Sequence, residues 1–350
     1  MTKRENTKKI QIGDITIGGS SKVLIQSMCN IKTSKTKEVI AQINECAALG
    51  ADLMRVSVLD LEDAKAIKII KDNINIPLIA DIHFDYKLAL ESINSGVDAI
   101  RINPGNIGDI DKIKLVVDAC KKNNIPIRVG VNSGSIDKTL ISDDTHVNAS
   151  LLVRSAKKHV KILEDLGFDN IVISLKGSNV IETIEAYKCA SEEFYYPLHV
   201  GITEAGPSEV GIIRSVAGLS PILTSGIGDT IRISLSDDPK EEIKACKKFL
   251  HDIGLYKDYP TLISCPTCGR TQVDVVNLSK KVLNYLEDNH INLTVAIMGC
   301  VVNGPGEARN ADIGLAGGKS SWVIFKKGQI IKTIKEEDAF MELIKEIKNL

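Results

Sequence analysis

The chain has 350 residues, of which 43% are hydrophobic, and a formal net charge of -1. A chain of this length exceeds one ordinary core, so one large domain and one small domain are the natural division. We expect a cytoplasmic protein that binds neither nucleic acid nor membrane, because basic residues form no block, no apolar run approaches the roughly 18 to 20 residues of a membrane span, and no signal core follows the N-terminus.

Short apolar segments recur along the first part of the chain. Residues 10–19 alternate around a Gly-Asp turn, which is typical of a β-hairpin. Eight segments rich in Val, Ile and Leu follow, at residues 23–28, 53–58, 77–82, 99–103, 125–131, 170–176, 197–203 and 230–236. Helical patterns follow them at residues 39–49, 61–70, 87–95, 110–123, 148–166, 180–193, 208–219 and 240–253. This alternation predicts an α/β fold, a TIM (β/α)8 barrel, with a doubly wound sheet as the alternative.

Five basic residues stand at the ends of the predicted strands. They are Arg55, Arg101, Arg128, Lys176 and Arg232. In a barrel of this kind, the C-terminal strand ends surround the mouth where active sites lie. A single buried Arg is commonly paired with a neighbouring carboxylate, but five cations around one opening with few obvious acidic partners favour a polyanion such as a diphosphate.

Three titratable residues belong to the same predicted mouth. Asp81, His83 and Glu204 could each move protons or hold a water molecule, and a structural role for His83 stays as open as a catalytic one. Glu204 is the stronger candidate, because a turn of small residues at 203–207 can bring its carboxylate close to a ligand.

The helical pattern lapses at residues 254–263, where Pro260 marks a join. We therefore expect a barrel domain at residues 1–255 and a smaller α+β domain at residues 256–350. In the second domain the pattern predicts an amphipathic helix, two strands and a closing helix. The helix carries Val273, Val276, Leu283 and Leu286, the strands are residues 293–298 and 322–325, and the closing helix is residues 337–347.

Three cysteines in the second domain are spaced as metal ligands. Cys265 and Cys268 are separated by two residues on a tight turn, and Cys300 follows an apolar run. A Cys-x-x-Cys alone could also be a redox pair or half of a zinc site. Three thiolates with one other ligand favour an iron-sulfur cluster, and the loop at residues 303–306 is expected to return Glu307 towards the sulfurs.

A carboxylate ligand would change what such a cluster can do. Its oxygen is harder and more exchangeable than a thiolate, so the iron that it holds could accept a substrate oxygen instead. The alternative for Glu307 is a plain surface carboxylate. The other five cysteines, Cys29, Cys46, Cys120, Cys189 and Cys246, lie singly in apolar patterns and are expected to be core thiols of a reducing compartment.

Four segments together resemble the 4-hydroxy-3-methylbut-2-enyl diphosphate synthase family of the non-mevalonate isoprenoid pathway. They are Arg-Val-Gly-Val-Asn-Ser-Gly at residues 128–134, Gly-Ile-Thr-Glu-Ala-Gly at 201–206, Ser-Cys-Pro-Thr-Cys-Gly-Arg at 264–270 and Gly-Cys-Val-Val-Asn-Gly-Pro-Gly-Glu at 299–307. The resemblance covers nearly the whole chain and is to the two-domain bacterial form.

The resemblance implies reductive ring opening and dehydration of 2-C-methyl-D-erythritol 2,4-cyclodiphosphate, with two electrons from flavodoxin or ferredoxin. It implies a 4Fe-4S cluster held by Cys265, Cys268, Cys300 and Glu307, and a proton donor at Glu204. The five basic residues would hold the diphosphate. The residues that would complete the pocket are Asp81, His83, Asn103, Asn132, Thr203, Ser234 and Asn303.

Two other functions remain open from the residues alone. An electron-transfer module would leave the five basic residues of the mouth without a role. A zinc-dependent or pterin-dependent barrel transferase would leave Glu307 and its loop without one. Iron and sulfide in place of zinc would exclude the transferase, and turnover of the cyclic diphosphate would exclude the electron carrier.

The connection between the domains predicts a homodimer. The eighth barrel helix starts at the mouth and ends at the opposite face, so the second domain is attached at the far end. Residues 254–263 could span roughly 33 Å when fully extended, which leaves no slack for the domain to cap its own mouth. A head-to-tail homodimer, which the resemblance also implies, would let Cys300 and Glu307 face Arg128 and Glu204 of the partner subunit.

Overall fold

A computed structural model describes residues 1–132, 149–300 and 308–350 of the chain. These residues form two compact units, Met1–Leu255 and Tyr256–Leu350. Across these ranges, none of the helices has both the length and the apolar character that a membrane crossing requires.

The first unit contains a hairpin, β1 (Ile10–Ile12) and β2 (Ile15–Ile17), and eight parallel strands. The strands are β3 (Leu24–Met28), β4 (Leu53–Ser57), β5 (Leu78–Asp81), β6 (Ala99–Ile102), β7 (Ile127–Asn132), β8 (Ile171–Lys176), β9 (His199–Val200) and β10 (Thr230–Ile231). The helices are α1 (Thr36–Ala48), α2 (Leu61–Lys71), α3 (Tyr86–Asn94), α4 (Pro104–Ile107), α5 (Ile110–Asn123), α6 (Ala149–Asp165), α7 (Val180–Glu193), α8 (Ser208–Thr224) and α9 (Pro239–Asp252).

The eight parallel strands close into a barrel. They pair in chain order from β3 to β8, β10 joins β3 to β9, and a bridge between Ile173 and Leu198 links β8 to β9. Every residue of β5, β6 and β8 is buried, because the barrel interior covers one face and the helices cover the other. The predicted TIM barrel is confirmed, and the doubly wound alternative is wrong.

Polar residues at helix starts position several barrel helices. The side chains of Asp60, Asp109 and Asp238 accept hydrogen bonds from backbone N–H groups in the first turns of α2, α5 and α9. These caps satisfy amide groups that have no partner inside the helix. They therefore fix where each helix begins at the mouth end of the barrel.

Three barrel elements differ from their predicted bounds by five residues each. Helix α8 continues five residues beyond its predicted end and contains Pro221, since Ile222 and Leu223 are buried and their packing outweighs the lost hydrogen bond. Strands β9 and β10 are shorter than predicted, because the chain leaves the barrel ladder after them. The backbone N–H of Ser236 there donates to the carbonyl of Gly206.

The described residues of the second unit form a five-stranded mixed sheet and two α-helices. Its elements are β11 (Thr261–Ser264), α10 (Val275–Asp288), β12 (Thr294–Met298), β13 (Ile313–Gly318), β14 (Ser321–Lys326), β15 (Gln329–Lys335) and α11 (Ala339–Ile347). The order is β11-β12-β13-β14-β15, parallel from β11 to β13 and antiparallel beyond. The sequence did not predict β11, β13 or β15, since β13 is rich in glycine and β15 is an edge strand of mostly exposed residues.

Helix α10 buries a different set of residues from the one predicted. Its core side is formed by Val275, Leu278, Val282 and Leu286, whereas Val276 is 48% exposed. Asp274 caps the helix through the N–H of residue 277 and so sets its first turn and its phase. The cysteine prediction also fails in part, since Cys189 is exposed while the other four predicted core thiols are buried.

Asp229 ties the N-terminal segment to the barrel. Its carboxylate accepts hydrogen bonds from the N–H of Leu198 and from the hydroxyl of Thr7, both at 2.7 Å. The guanidinium of Arg4 donates to the carbonyl of Gly228 at 2.9 Å. Burial raises the pKa of Asp229 to about 6, although its hydrogen bonds act in the opposite direction. The folded chain therefore holds a proton at Asp229 more tightly than the unfolded chain does.

Asp229 should make the barrel less stable as the pH rises from about 4 to about 6. Protonated Asp229 contributes to the free energy of unfolding, and this contribution is complete below the pKa of the unfolded chain. It is lost as the pH rises through the pKa of the folded chain, and it amounts to at most about 3 kcal/mol. The free energy of unfolding, measured with urea across this range, should change less with pH in Asp229→Asn than in the wild type. The exposed control Asp14→Asn should keep the wild-type dependence, and equal slopes in all three proteins would contradict the assignment.

Candidate active site

A cavity of about 260 Å³ opens at the C-terminal ends of the barrel strands. Its walls come from β4, β5, β6, β7 and β8 and from the loops that follow β5, β9 and β10. The residues that line it are Arg55, Asp81, His83, Arg101, Arg128, Asn132, Ser174, Lys176, Thr203, Arg232 and Ser234. All five basic residues singled out in the sequence therefore meet in one cavity.

Several of the proposed site residues do not line this cavity. Asn103 caps the short helix α4, where its side-chain oxygen accepts from the N–H of Gly105 at 3.1 Å. Glu204 is exposed on the loop after β9. Asn303 and Glu307 lie outside the described residues. Ser174 on β8 lines the cavity although no role had been predicted for it.

The loop that carries Glu204 has a defined backbone. Glu204 adopts a φ of 54°, which is uncommon for a residue other than glycine. The guanidinium of Arg214 donates to the carbonyl oxygens of Glu204 at 3.1 Å and Ala205 at 3.2 Å. These contacts from α8 hold the turn in place, so the Glu204 carboxylate is carried by an ordered loop at the mouth end of β9.

Asp81 is the acidic partner of two basic residues. Arg101 donates to its carboxylate at 3.1 Å, Arg55 Nε lies 3.5 Å from it, and His83 Nε2 lies at 3.5 Å. Burial alone would raise the pKa of Asp81, but the charges of Arg55 and Arg101 and the contact with His83 hold it below its ordinary value. Asp81 therefore stays ionised and positions this side of the cavity.

Glu242 is the acidic partner that the sequence did not reveal. It lies in the first turn of α9, and its two carboxylate oxygens each accept from Arg232 at 2.9 Å. The hydroxyl of Ser27 and the N–H of Leu235 also donate to it, at 2.6 Å and 2.9 Å. A residue in the first turn of a helix that follows a barrel strand lies near the mouth. That position in the sequence could have identified Glu242 as a site residue.

The thioether of Met28 lies between two of the guanidinium groups. Its sulfur accepts from Arg55 at 3.0 Å and 3.2 Å and lies 3.5 Å from Arg232. Met28 is the last residue of β3, so it separates the cations of β4 and of the loop after β10. Burial lowers the pKa of Arg55 to about 10, and the neighbouring guanidinium groups act in the same direction.

Arg128 and Lys176 are buried without an ion-pair partner among the described residues. Arg128 donates to the neutral side-chain oxygen of Gln26 at 2.8 Å. Burial and the neighbouring cations lower the pKa of both basic groups. Five basic side chains thus share two carboxylates, and the imbalance favours an anionic ligand.

Two glycines make room for these long side chains. A Cβ atom on Gly130 would lie 2.3 Å from Arg101 Nε, and one on Gly201 would lie 2.9 Å from Lys176 Nζ. Both distances are shorter than real Cβ contacts, so glycine is required where Arg101 and Lys176 cross their neighbouring strands.

In the second unit, Gly299 joins the segments that carry the three cysteines. Its N–H donates to Cys265 Sγ at 3.1 Å, and its carbonyl accepts from the N–H of Gln272 at 3.4 Å. Cys300 is the next residue along the chain. Cys265 and Cys300 follow the neighbouring parallel strands β11 and β12, so they lie at the same edge of the sheet.

The cysteines suit an iron-sulfur cluster in residue type and in position along the sheet edge. Hydrogen bonds from Arg270 lower the pKa of the exposed Cys268 thiol, which favours the thiolate that binds metal. Within residues 1–132, 149–300 and 308–350, no three His, Cys, Asp or Glu side chains are grouped closely enough to hold a metal ion. The predicted fourth ligand, Glu307, belongs to the residues that the structure does not describe.

Two family models match nearly the whole chain. Residues 7–247 match the GcpE TIM-barrel domain, and residues 261–349 match the GcpE protein C-terminal domain. The chain belongs to the GcpE family. This membership confirms the family predicted from the four sequence motifs.

GcpE relatives similar to this chain carry an enzyme name. A 4-hydroxy-3-methylbut-2-en-1-yl diphosphate synthase (flavodoxin) of Clostridium perfringens is 54% identical over 347 residues, which is 99% of each chain. The protein of the same name from Caldanaerobacter subterraneus subsp. tengcongensis is 52% identical, over 99% of this chain and 98% of the relative. The predicted enzyme class is confirmed by these GcpE proteins.

Solved structures with the same barrel fold are more distant. Dihydropteroate synthase from Stenotrophomonas maltophilia aligns with a TM-score of 0.53 at 15% identity, over 71% of this chain and 99% of that chain. The enzyme from Coxiella burnetii aligns with a TM-score of 0.52 at 12% identity, over 71% of this chain and 99% of that chain. At these identities the likeness supports the GcpE barrel fold and carries no argument about activity.

Lys176→Met should weaken the binding of inorganic pyrophosphate by about 10- to 100-fold, since it removes one charge-assisted contact. The melting temperature of the unliganded protein should stay the same or rise, because a buried amine without an ion-pair partner among the described residues is replaced by an apolar side chain. Calorimetry and thermal unfolding measure the two effects.

The matched control is Lys161→Met on α6, because the amine of Lys161 is exposed and pairs with Asp165 at 2.9 Å. This control should change neither quantity. Unchanged pyrophosphate binding in Lys176→Met would exclude Lys176 from the anion site.

Proposed function

We propose that the chain opens the ring of 2-C-methyl-D-erythritol 2,4-cyclodiphosphate reductively and releases water and 4-hydroxy-3-methylbut-2-enyl diphosphate. The observation that carries the proposal is the cavity of a GcpE-family barrel in which five basic side chains face two carboxylates. A cyclic diphosphate is a small dianion, and its two negative charges offset most of the positive charge that the two carboxylates leave unpaired. The names of the relatives supply the product and the electron donor.

The barrel mouth binds and orients the diphosphate. Arg128 and Lys176 pair with no carboxylate in the described ranges, so they meet the phosphate oxygens directly. Arg55, Arg101 and Arg232 are held by Asp81 and Glu242 and turn their remaining N–H donors to the ligand. These fixed charges stabilise the negative charge that develops on the phosphate oxygen when the ring opens.

Polar groups around the cations complete the proposed pocket. His83, Asn132, Thr203 and Ser234 line the same cavity and can bond to the hydroxyl and bridging oxygens of the ligand. Asn103 and Asn303 are assigned to the pocket from the family resemblance. Glu204 is proposed as the proton donor, on a loop that Arg214 holds at the mouth end of β9.

The second unit is proposed to hold a 4Fe-4S cluster through Cys265, Cys268, Cys300 and Glu307. When bound, the cluster supplies electrons one at a time, and it takes them from flavodoxin, the donor in the names of the relatives, or from ferredoxin. The N–H of Gly299 donates to the Cys265 sulfur and so helps to fix its position. The carboxylate of Glu307 is proposed to yield its position to substrate.

The active form is proposed to be a homodimer with shared sites. Helix α9 runs from the mouth of the barrel to its opposite face and ends at Asp252, while β11 begins at Thr261. The eight residues between them reach roughly 26 Å when fully extended, which is shorter than the sequence alone suggested. In a head-to-tail dimer each cysteine domain would complete the active site in the barrel of its partner, so the short connection would not have to reach the mouth of its own barrel.

The cluster and the reaction are tested together. Anaerobically purified protein should contain about four irons per chain, with equal sulfide, and should turn over the cyclic diphosphate with reduced flavodoxin. Cys268→Ser should lose most of the iron and nearly all turnover. The exposed Cys189 lies outside the ligand set, so Cys189→Ser should keep both. Stoichiometric zinc without iron, or no turnover by the iron-loaded protein, would refute the proposal.

The homodimer is tested by complementation. Cys268→Ser and Glu204→Gln chains should each be inactive alone and should regain activity when they are mixed and allowed to exchange. In the mixed dimer one of the two sites pairs an intact barrel with an intact cluster, so up to about half of the wild-type activity per dimer is expected. A mixture that stays inactive despite exchange, or a fully active monomer, would exclude shared sites.

A further inference from the structure

The amine of Lys176 differs from the other basic groups of the mouth. It ends β8 and is only 6% exposed, and it has no carboxylate within ion-pair distance in the described part of the chain. Its side chain passes Gly201, the residue after β9, where a Cβ atom would lie 2.9 Å from Nζ. The amine is thus fixed in a buried position that offers its charge no direct partner.

The groups that face Lys176 come from several elements and are mostly cationic. Arg55 lies on β4, Arg128 on β7 and Arg232 after β10, and all three disfavour a charge on the lysine. Among the described residues, the carboxylate whose charge favours an ammonium group here is that of Glu242 on α9, and Arg232 already occupies both of its oxygens.

The remaining neighbours provide no compensating charge. His199 on β9 places its Nδ1 2.8 Å from the hydroxyl of Thr230, and burial lowers its pKa, so its imidazole is neutral. Asp81 is held by Arg55 and Arg101. Burial and the charges of Arg55, Arg232 and Arg128 therefore disfavour an ammonium group at Lys176 more strongly than the charge of Glu242 favours it.

Lysine is the basic group that can respond to this environment. Guanidinium groups keep their protons in proteins, whereas a buried amine gives its proton up readily. Burial, and after it the charges of Arg55, Arg232 and Arg128, lower the pKa of Lys176. A diphosphate brings negative charge next to the amine and reverses the balance, because an opposite charge favours the protonated form.

We propose that Lys176 is neutral in the empty mouth and takes up a proton from solvent when a diphosphate binds. The lone pair of Nζ accepts the proton, and the ammonium group so formed pairs with a phosphate oxygen. The proton returns to solvent when the anion leaves. This inference rests on the anion site of the proposed function and adds that ligand binding and lysine protonation are coupled.

Calorimetry with inorganic pyrophosphate tests the coupling. Titrations in buffers of different ionisation enthalpy, at several pH values between about 6 and 10, give the number of protons taken up per anion. Wild-type protein should take up about one proton more than Lys176→Arg, in which the basic group is always charged. Lys176→Arg should keep pyrophosphate binding within about tenfold, since a cation remains at this position.

Two further variants decide where the proton goes. The exposed control Lys161→Arg should match the wild-type proton count. Equal counts in the wild type and Lys176→Arg overturn the proposal. Proton uptake that persists in Lys176→Arg and disappears in His83→Gln also overturns the proposal, because the proton then binds to His83.

Sulfate provides a measurement that needs no variant at position 176. It does not titrate in this pH range, so wild-type protein should itself take up about one proton per sulfate bound. No uptake with sulfate overturns the proposal even if Lys176→Arg fails to fold.

The test separates this inference from the proposed function. Proton uptake without turnover of the cyclic diphosphate refutes the function and leaves the coupling intact. Turnover without proton uptake refutes the coupling and leaves the proposed function intact.

Discussion

Asp81 and Glu242 hold three of the five mouth cations, and the arrangement of the active site depends on this pairing. Each carboxylate is buried, so each keeps its guanidinium partner in a fixed orientation. Arg128 and Lys176 remain without a carboxylate in the described part of the chain. Burying the charge of Arg128 without a compensating anion, and keeping the amine of Lys176 away from water, both cost free energy that a bound diphosphate would recover. The empty mouth is therefore a less stable arrangement that is prepared for its ligand.

The barrel makes this arrangement possible because it supplies stability and space. Its closed ring of strands is buried on both faces and contains a large apolar core, which offsets the cost of the buried charges. Gly130 and Gly201 leave room for Arg101 and Lys176 to lie across neighbouring strands. In the second unit Gly299 has a comparable role, because its backbone joins the segments that carry the cysteines.

Much of this structure could be predicted from the sequence, because local pattern determines it. Helices α5 and α7 have the predicted bounds, and the strand ends predicted the basic residues of the mouth. The predictions fail where contacts between residues far apart in the sequence determine the structure. In the sequence, Glu242 has no feature that distinguishes it from other acidic residues in a first helical turn. Its contact with Arg232 forms only in the folded barrel. The phase of α10 followed from a cap at Asp274 that hydrophobic pattern alone does not specify.

The sulfur of Met28 is a weak acceptor placed between two cations of this mouth. It contacts Arg55 and lies beside Arg232, yet a thioether is a weak acceptor compared with a carboxylate. It spaces the two guanidinium groups and satisfies them only loosely. A phosphate oxygen that arrives between them exchanges a weak contact for a strong one, so the ligand has no tightly bound group to displace. A carboxylate side chain in place of Met28 would compete with the substrate for both cations.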